Sequence, residues 1–153
     1  MRTLETMFPP PIAAAAVAVA MWATSRIGPV FAFDSRLRFA IAGAFAGLAI
    51  SVTAMGMTAF RRAHTTINPV KVENASSIVT NGIYSRTRNP MYVGLTSLLL
   101  GWAVFLAAPW VVLGPVLFVL FTTRFQIVPE ERVLTSKFGR EYSDYQARVR
   151  RWL

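Results

Sequence analysis

Cysteine is absent from this sequence of 153 residues, and histidine occurs once, at His64. Without a thiol there is no disulfide, no thiolate nucleophile and no Cys-based zinc or iron–sulfur site. One histidine rules out a multi-histidine metal centre and leaves only carboxylate-rich arrangements, so no metal site is expected. Charge is scarce too: 15% of the residues are Asp, Glu, Lys or Arg, against roughly 25% in a soluble domain. Acidic residues are the scarcest, 7 against 16 basic ones, for a formal net charge of +9. Apolar residues fill the space, at 54% of the chain with a mean hydropathy of +0.46. That balance places residues 1–153 in a membrane as one domain.

A positive balance invites a nucleic-acid reading, but the basic residues stand at the ends of apolar runs, where anionic lipid headgroups are the expected partner. No cleavable signal peptide is expected, because the first apolar run lacks a small-x-small site followed by a soluble stretch. Four membrane segments are expected: about Phe8 to Ala23, Phe39 to Phe60, about Met91 to Ala107, and Trp110 to Val128. The first is short against the roughly 20 residues a span needs, and its prolines suit a helix start. In the second, GAFAG at 43–47 has the small-xxx-small spacing that lets helices approach, and it permits a homodimer through that span. The last two are separated only by Ala108 and Pro109, so they form an antiparallel hairpin.

Counting Lys and Arg sets the orientation. The N-terminus, the 61–90 segment and the tail carry 1, 5 and 6, against 3 on the opposite side and Arg124 within the fourth span. Both termini then face the cytoplasm, as in a bacterial-type inner membrane. The tail carries its own helix signals: Pro129 in a first turn, Glu130 and Glu131 at the positive end of a dipole, Gly139 as a stop. Beyond Gly139, Tyr142, Tyr145, Val149 and Trp152 recur at spacings of 3, 4 and 3, with Arg148, Arg150 and Arg151 near enough to meet phosphates. This is the pattern of an amphipathic interfacial helix. The fold class expected is therefore all-α and integral to the membrane: four transmembrane helices, a C-terminal hairpin and an interfacial tail helix.

One stretch concentrates polar chemistry against the apolar wall: SRTRNPMYVG, Ser85 to Gly94. Asn89 is a favoured N-cap, Pro90 fits the first helical position, and Arg86 and Arg88 fix topology. The same features build an anion site, since a helix start offers unpaired N–H groups and partial positive charge. On the same membrane face the fourth span ends in Glu130 and Glu131. Its Arg124 and Gln126 are costly at membrane depth and are expected to face protein or water. The residues by themselves support a polar ligand at the cytoplasmic interface, with positive charge offered from one side and negative from the other.

From about His64 onward the chain resembles the isoprenylcysteine carboxyl methyltransferases and the related membrane phospholipid methyltransferases. The resemblance rests on TTINP at 65–69, IVTNGIYSRTRNPMYVG at 78–94, PEER at 129–132 and FGREYSDYQARVRRWL at 138–153, in that order around a hairpin. It implies an integral membrane methyltransferase that uses S-adenosylmethionine on a lipid or lipid-like amphiphile. By motif position it implies Gly82, Tyr84, Arg88, Asn89, Tyr92, Glu130 and Glu131 as cofactor-site residues. Arg88 would anchor the anionic end, with Glu130 or Glu131 at the cationic end, and these three are the catalytic candidates. The archetypal carboxyl methyltransferases have histidine where this chain has Asn89, while the phospholipid-acting branch shares NPMY, which counts against a prenylcysteine substrate. Methyl transfer asks for positioning and electrostatics, and an amine acceptor also needs a carboxylate to take its proton.

Two other readings stay open on the sequence alone. One is a minimal NADPH-dependent intramembrane reductase, whose larger group shares a similar C-terminal arrangement. The other is a small membrane protein without catalysis that binds lipid or a partner. His64 stands as a weak candidate base beside Arg61 and Arg62.

Overall fold

The computed structural model describes residues 9–32, 34–63 and 77–153, so His64 and TTINP at 65–69 lie outside the described residues. The described residues are helical, with no strand among them. Helix α1, Pro10–Ser25, starts on the expected prolines and is rich in alanine. Helix α2, Ser35–Arg62, is capped by Asp34, whose Oδ1 accepts from the Leu37 amide at 2.9 Å, and it closes on Arg61 and Arg62 at the negative end of its dipole. Helix α3 spans Pro90–Leu106 and ends on Ala107 in the left-handed region. A 3-10 turn at Pro109–Val112 then leads into α4, Leu113–Thr122.

Among the described residues two helices, Ser35–Arg62 and Pro109–Phe138, are long and apolar enough to cross a membrane. Helices α1 and α3, at 16 and 17 residues, fall short: at about 1.5 Å per residue they reach about 24–26 Å against a hydrocarbon core of about 30 Å. Of the four expected spans, the described residues thus give two full-length helices and two shorter ones. Each of the two shorter helices starts on a proline and closes in a turn within 17 residues.

The long second helix corrects the expected break before the tail. Pro129 has no N–H and its ring crowds the carbonyl one turn back, which would kink an α-helix. Here Thr123–Ile127 widens into a π-turn and the helix runs on as α5, Val128–Phe138. A π-turn is a recognised way to absorb such an insertion. Glu130 and Glu131 therefore lie inside a continuous helix rather than at the free start of a new one. Gly139 does end it, with φ at +54 and its N–H donating to the Thr135 carbonyl at 2.9 Å.

The α1, α3 and α4 helices enclose a small core of Ala14, Met21, Leu99, Ala108, Val111 and Phe118. Two indoles tie α1 down: Trp102 Nε1 donates to the Ala18 carbonyl at 3.0 Å and Trp110 Nε1 to that of Thr24 at 3.2 Å. Leu113, Leu117 and Leu120 on α4 and Ile50 on α2 remain 59–70% exposed, an outer surface suited to acyl chains and not to water.

Helix α2 packs along α3, and the glycines that permit it are not those of GAFAG. A Cβ on Gly43 or Gly47 would meet nothing within 4 Å. A Cβ on Gly94 would collide with Thr53 Oγ1 and lie 3.1 Å from the Ala49 carbonyl oxygen, and one on Gly101 would lie 3.0 Å from Phe45 Cβ. We therefore expect Gly94→Val to lower stability by about 1–3 kcal/mol, as overpacking does. Gly43→Val should stay within about 0.5 kcal/mol. Thermal melts of the two variants in one detergent check this, and equal losses would contradict the packing described.

Candidate functional site

Gly82, with φ at +60, opens a 3-10 turn over Gly82–Ser85 that turns Tyr84 inward. The Tyr84 ring meets Phe60 edge-on at 5.2 Å between centroids, joining this turn to the end of α2. Next comes Thr87, fully buried, whose hydroxyl accepts from the Asn89 amide at 3.1 Å. Asn89 stands at the N-cap position but makes no side-chain cap; its Nδ2 instead donates to the Arg151 carbonyl at 2.9 Å. The cap expected from Asn–Pro is replaced by a long-range bond to the tail.

Those contacts bring the end of the chain across the start of α3. Helix α6, Arg140–Arg148, turns Tyr142 and Tyr145 inward, each 4% exposed. Tyr145 donates its hydroxyl proton to the Tyr84 carbonyl at 2.7 Å. Past α6 the backbone extends, and the Arg88 amide donates to the Arg150 carbonyl at 3.0 Å. Trp152 Nε1 donates to Thr123 Oγ1 at 3.2 Å, on the π-turn. The expected interfacial helix thus stops before Val149 and Trp152. The two tyrosines of its aromatic face pack against protein, since a stripe of tyrosines suits an apolar pocket with carbonyl partners as well as a lipid surface.

Opposite charges meet at the centre. Arg88 Nη1 lies 3.0 Å from Glu131 Oε1, with both side chains about nine-tenths buried. Arg151 forks onto the same carboxylate, Nε to Oε1 at 3.0 Å and Nη2 to Oε2 at 2.7 Å, the bidentate arrangement of the strongest ion pairs. That fork raises the Arg151 pKa further above its ordinary value. One turn of contact away, Tyr92 donates to Glu130 Oε1 at 2.7 Å, and its hydroxyl oxygen lies 3.1 Å from Gln126 Oε1. Gln126 is buried, as its cost at depth demands, whereas Arg124 points outward with its guanidinium 5.5 Å from the Phe125 ring centre.

Of the residues singled out in the sequence, Arg88, Asn89, Tyr92, Glu130 and Glu131 gather here. Tyr84 joins through its carbonyl, and Gly82 acts only through its turn. Gln126, Thr87, Tyr145 and Arg151 complete the cluster. Of these, Tyr145, expected at the lipid surface, and Arg151, expected beside lipid phosphates, both turn into the cluster instead. Both arginines converge on Glu131, while Glu130 is held by Tyr92, so positive charge and a second carboxylate lie side by side. Arg88 keeps two buried donors, Nε and Nη1, that make no hydrogen bond, although Nη1 stands in the ion pair with Glu131. Such orphans are rare and costly unless a ligand supplies the acceptor.

A phospholipid methyltransferase family model matches residues 37–141, from the start of α2 into α6. The chain belongs to the phospholipid methyltransferase family. It is a membrane protein of that family, helical throughout its described elements, and the site lies at the junction of the matched α3 and α5. A protein of Haemophilus influenzae described as uncharacterized is 46% identical over 63 residues, which is 41% of this chain and the whole of that relative. Two proteins of Oryza sativa, subspecies indica and japonica, described as probable protein-S-isoprenylcysteine O-methyltransferases, are each 34% identical over 91 residues. Those matches take in 58% of this chain and 46% of each rice protein, so the chain spans about half the length of these relatives.

Within this family member the tail tyrosines stay neutral. Burial, then the neighbouring Glu131, pushes the Tyr142 phenol from 10.0 up to about 12, although Arg88 pulls it down. Burial also raises Tyr84 and Tyr145. A phenol whose pKa is raised by folding contributes stability that is intact below the unfolded value near 10 and is lost as pH rises through the folded value. We expect melting temperature in detergent to fall between pH 10 and about 12, together with tyrosinate absorbance. Tyr142→Phe should reduce that fall, and an identical alkaline profile in the variant would contradict the burial described.

Proposed function

We propose that this chain is an S-adenosylmethionine-dependent methyltransferase whose acceptor is a lipid or lipid-like amphiphile reaching the site from the bilayer. The reading is carried by the buried, hydrogen-bond-free donors of Arg88 beside a carboxylate pair. The cofactor's amino-acid end carries a carboxylate, which suits Arg88, and its ammonium and sulfonium suit Glu130 and Glu131. When bound, it supplies an electrophilic methyl group open to in-line displacement. The protein's share is to orient, exclude water and stabilise charge. Arg88 holds the anionic end, and Glu131, with both oxygens engaged by arginine, balances that charge. Glu130, held by Tyr92, is the carboxylate left to face the cationic end and to take a proton where the acceptor is an amine.

The exposed leucines of α4 and the apolar face of α2 support access from acyl chains. The excess of Lys and Arg on one side supports a cytoplasmic site in an inner membrane with both termini inside, and attachment of the basic tail to anionic lipid. Incubating the protein in lipid nanodiscs with methyl-labelled S-adenosylmethionine and total lipid extract, then analysing products by mass, tests the activity. The expected result is a single labelled lipid class that disappears with heat-inactivated protein. Absence of label from every lipid at saturating cofactor, with NADPH binding in a parallel titration, would overturn the reading in favour of a reductase.

A further inference from the structure

Arg151 lies beyond residues 37–141, yet both its backbone and its partly exposed side chain are tied into the site. Its carbonyl accepts from Asn89 Nδ2 at 2.9 Å and from the Thr87 hydroxyl at 3.4 Å. The residues on either side are fixed as well, Arg150 to the Arg88 amide and Trp152 to Thr123. An arginine serving only lipid phosphates would carry its guanidinium outward. This one is turned onto a carboxylate that is 11% exposed.

Geometry separates the two arginines around Glu131. Arg151 takes both carboxylate oxygens with aligned donors at 3.0 and 2.7 Å. Arg88 reaches Glu131 Oε1 through Nη1 alone, in an ion pair at 3.0 Å that is not aligned as a hydrogen bond, and its buried Nε makes no hydrogen bond either. A planar guanidinium facing a carboxylate alone settles into a two-pronged fork, because paired N–H donors match paired oxygens. With Arg151 occupying that arrangement, Arg88 touches the carboxylate through Nη1 alone, and neither Nε nor Nη1 is held by a hydrogen bond. Without it, Arg88 would rotate onto Glu131 and satisfy itself internally.

We propose that Arg151 is a positioning residue of the anion site: by forking onto Glu131 it keeps the buried donors of Arg88 available for the carboxylate of S-adenosylmethionine. The inference rests on the cofactor reading above and adds to it a residue that acts through two others. Its signature is selectivity, since the effect concerns one end of the ligand only.

Calorimetric titration of the full chain in nanodiscs, using S-adenosylmethionine and decarboxylated S-adenosylmethionine, tests it with Arg151→Gln and Arg151→Lys. Arg151→Gln should weaken binding of the first ligand about tenfold or more and of the second less than twofold. Arg151→Lys should fall between, because a point charge neutralises Glu131 without matching both oxygens. Equal losses for both ligands would assign Arg151 to holding the fold and overturn the proposal, as would unchanged affinity. Should Arg151→Gln fail to give monodisperse protein, Arg151→Lys decides by the same comparison, a selective loss supporting the proposal and an equal loss or none overturning it. Failure of the unmodified protein to bind either ligand would instead remove the cofactor reading itself, and this inference with it.

Discussion

Arg88→Gln is expected to weaken S-adenosylmethionine binding about a hundredfold while the protein still folds. Truncating one partner of a desolvated, charge-assisted contact costs about 2–5 kcal/mol of binding, and a hundredfold is about 2.7 kcal/mol. The fold should tolerate the change better than removal of a buried ion usually allows. Breaking a buried pair costs most when the surviving charge is left uncompensated, but here Glu131 retains the Arg151 fork. The Arg88 amide bond to the Arg150 carbonyl also survives, because it belongs to the backbone. Affinity should therefore fall far more than melting temperature. Arg88→Lys should recover only part of the loss, since an ammonium cannot present two parallel donors. Calorimetry and thermal melts on the same preparations check both halves, and a parallel collapse of stability would mean that Arg88 is chiefly structural.

Where the acceptor is an amine, Glu130→Gln is expected to lower the turnover number about a hundredfold and also to raise the KM for S-adenosylmethionine. The substitution keeps size and shape and removes only charge and basicity. Glu131 cannot replace it, because both of its oxygens face guanidinium groups. Loss of a positioned proton acceptor alone costs about 10²–10⁴ in rate, and the lost attraction for a cationic ligand end acts in the same direction. Tyr92→Phe, which removes the 2.7 Å donor to Glu130, should cost less, about tenfold, by leaving the carboxylate in place but less well held. Steady-state rates at saturating cofactor separate these cases. A Glu130→Gln enzyme with wild-type turnover would remove Glu130 from the catalytic centre.

Much of this architecture is legible in the chain. Asn89–Pro90 marks the start of α3, Ala108–Pro109 the hairpin turn and Gly139 the end of the long helix, each because one residue's backbone preference is strong enough to act alone. The meeting of Arg88 with the acidic pair follows from the hairpin, which returns residues 130–131 to the level of residues 88–92. Other features escape because the same pattern serves two environments. Tyr142 and Tyr145 at helical spacing suit a lipid surface or a protein pocket, and only the Tyr84 carbonyl decides between them. Pro129 reads as a helix start because periodicity carries no sign that Thr123–Ile127 widens to absorb its ring. Small residues announce close packing without saying which face is used, so Gly43 and Gly47 draw the eye while Gly94 and Gly101 make the contact. Arg151 is hidden among three basic neighbours, and only its fold-back onto Glu131 distinguishes it.

The central claim is that one nucleoside-sized ligand lies between the start of α3, the first turns of α5 and the tail. Ultraviolet cross-linking of methyl-labelled S-adenosylmethionine to the unmodified protein in nanodiscs, followed by peptide mapping, tests that placement directly. The account predicts label confined to peptides from 84–92 and 130–152 and abolished by excess unlabelled cofactor. Label that unlabelled cofactor does not displace, or label carried by α1 or the Ser35 end of α2, would contradict it.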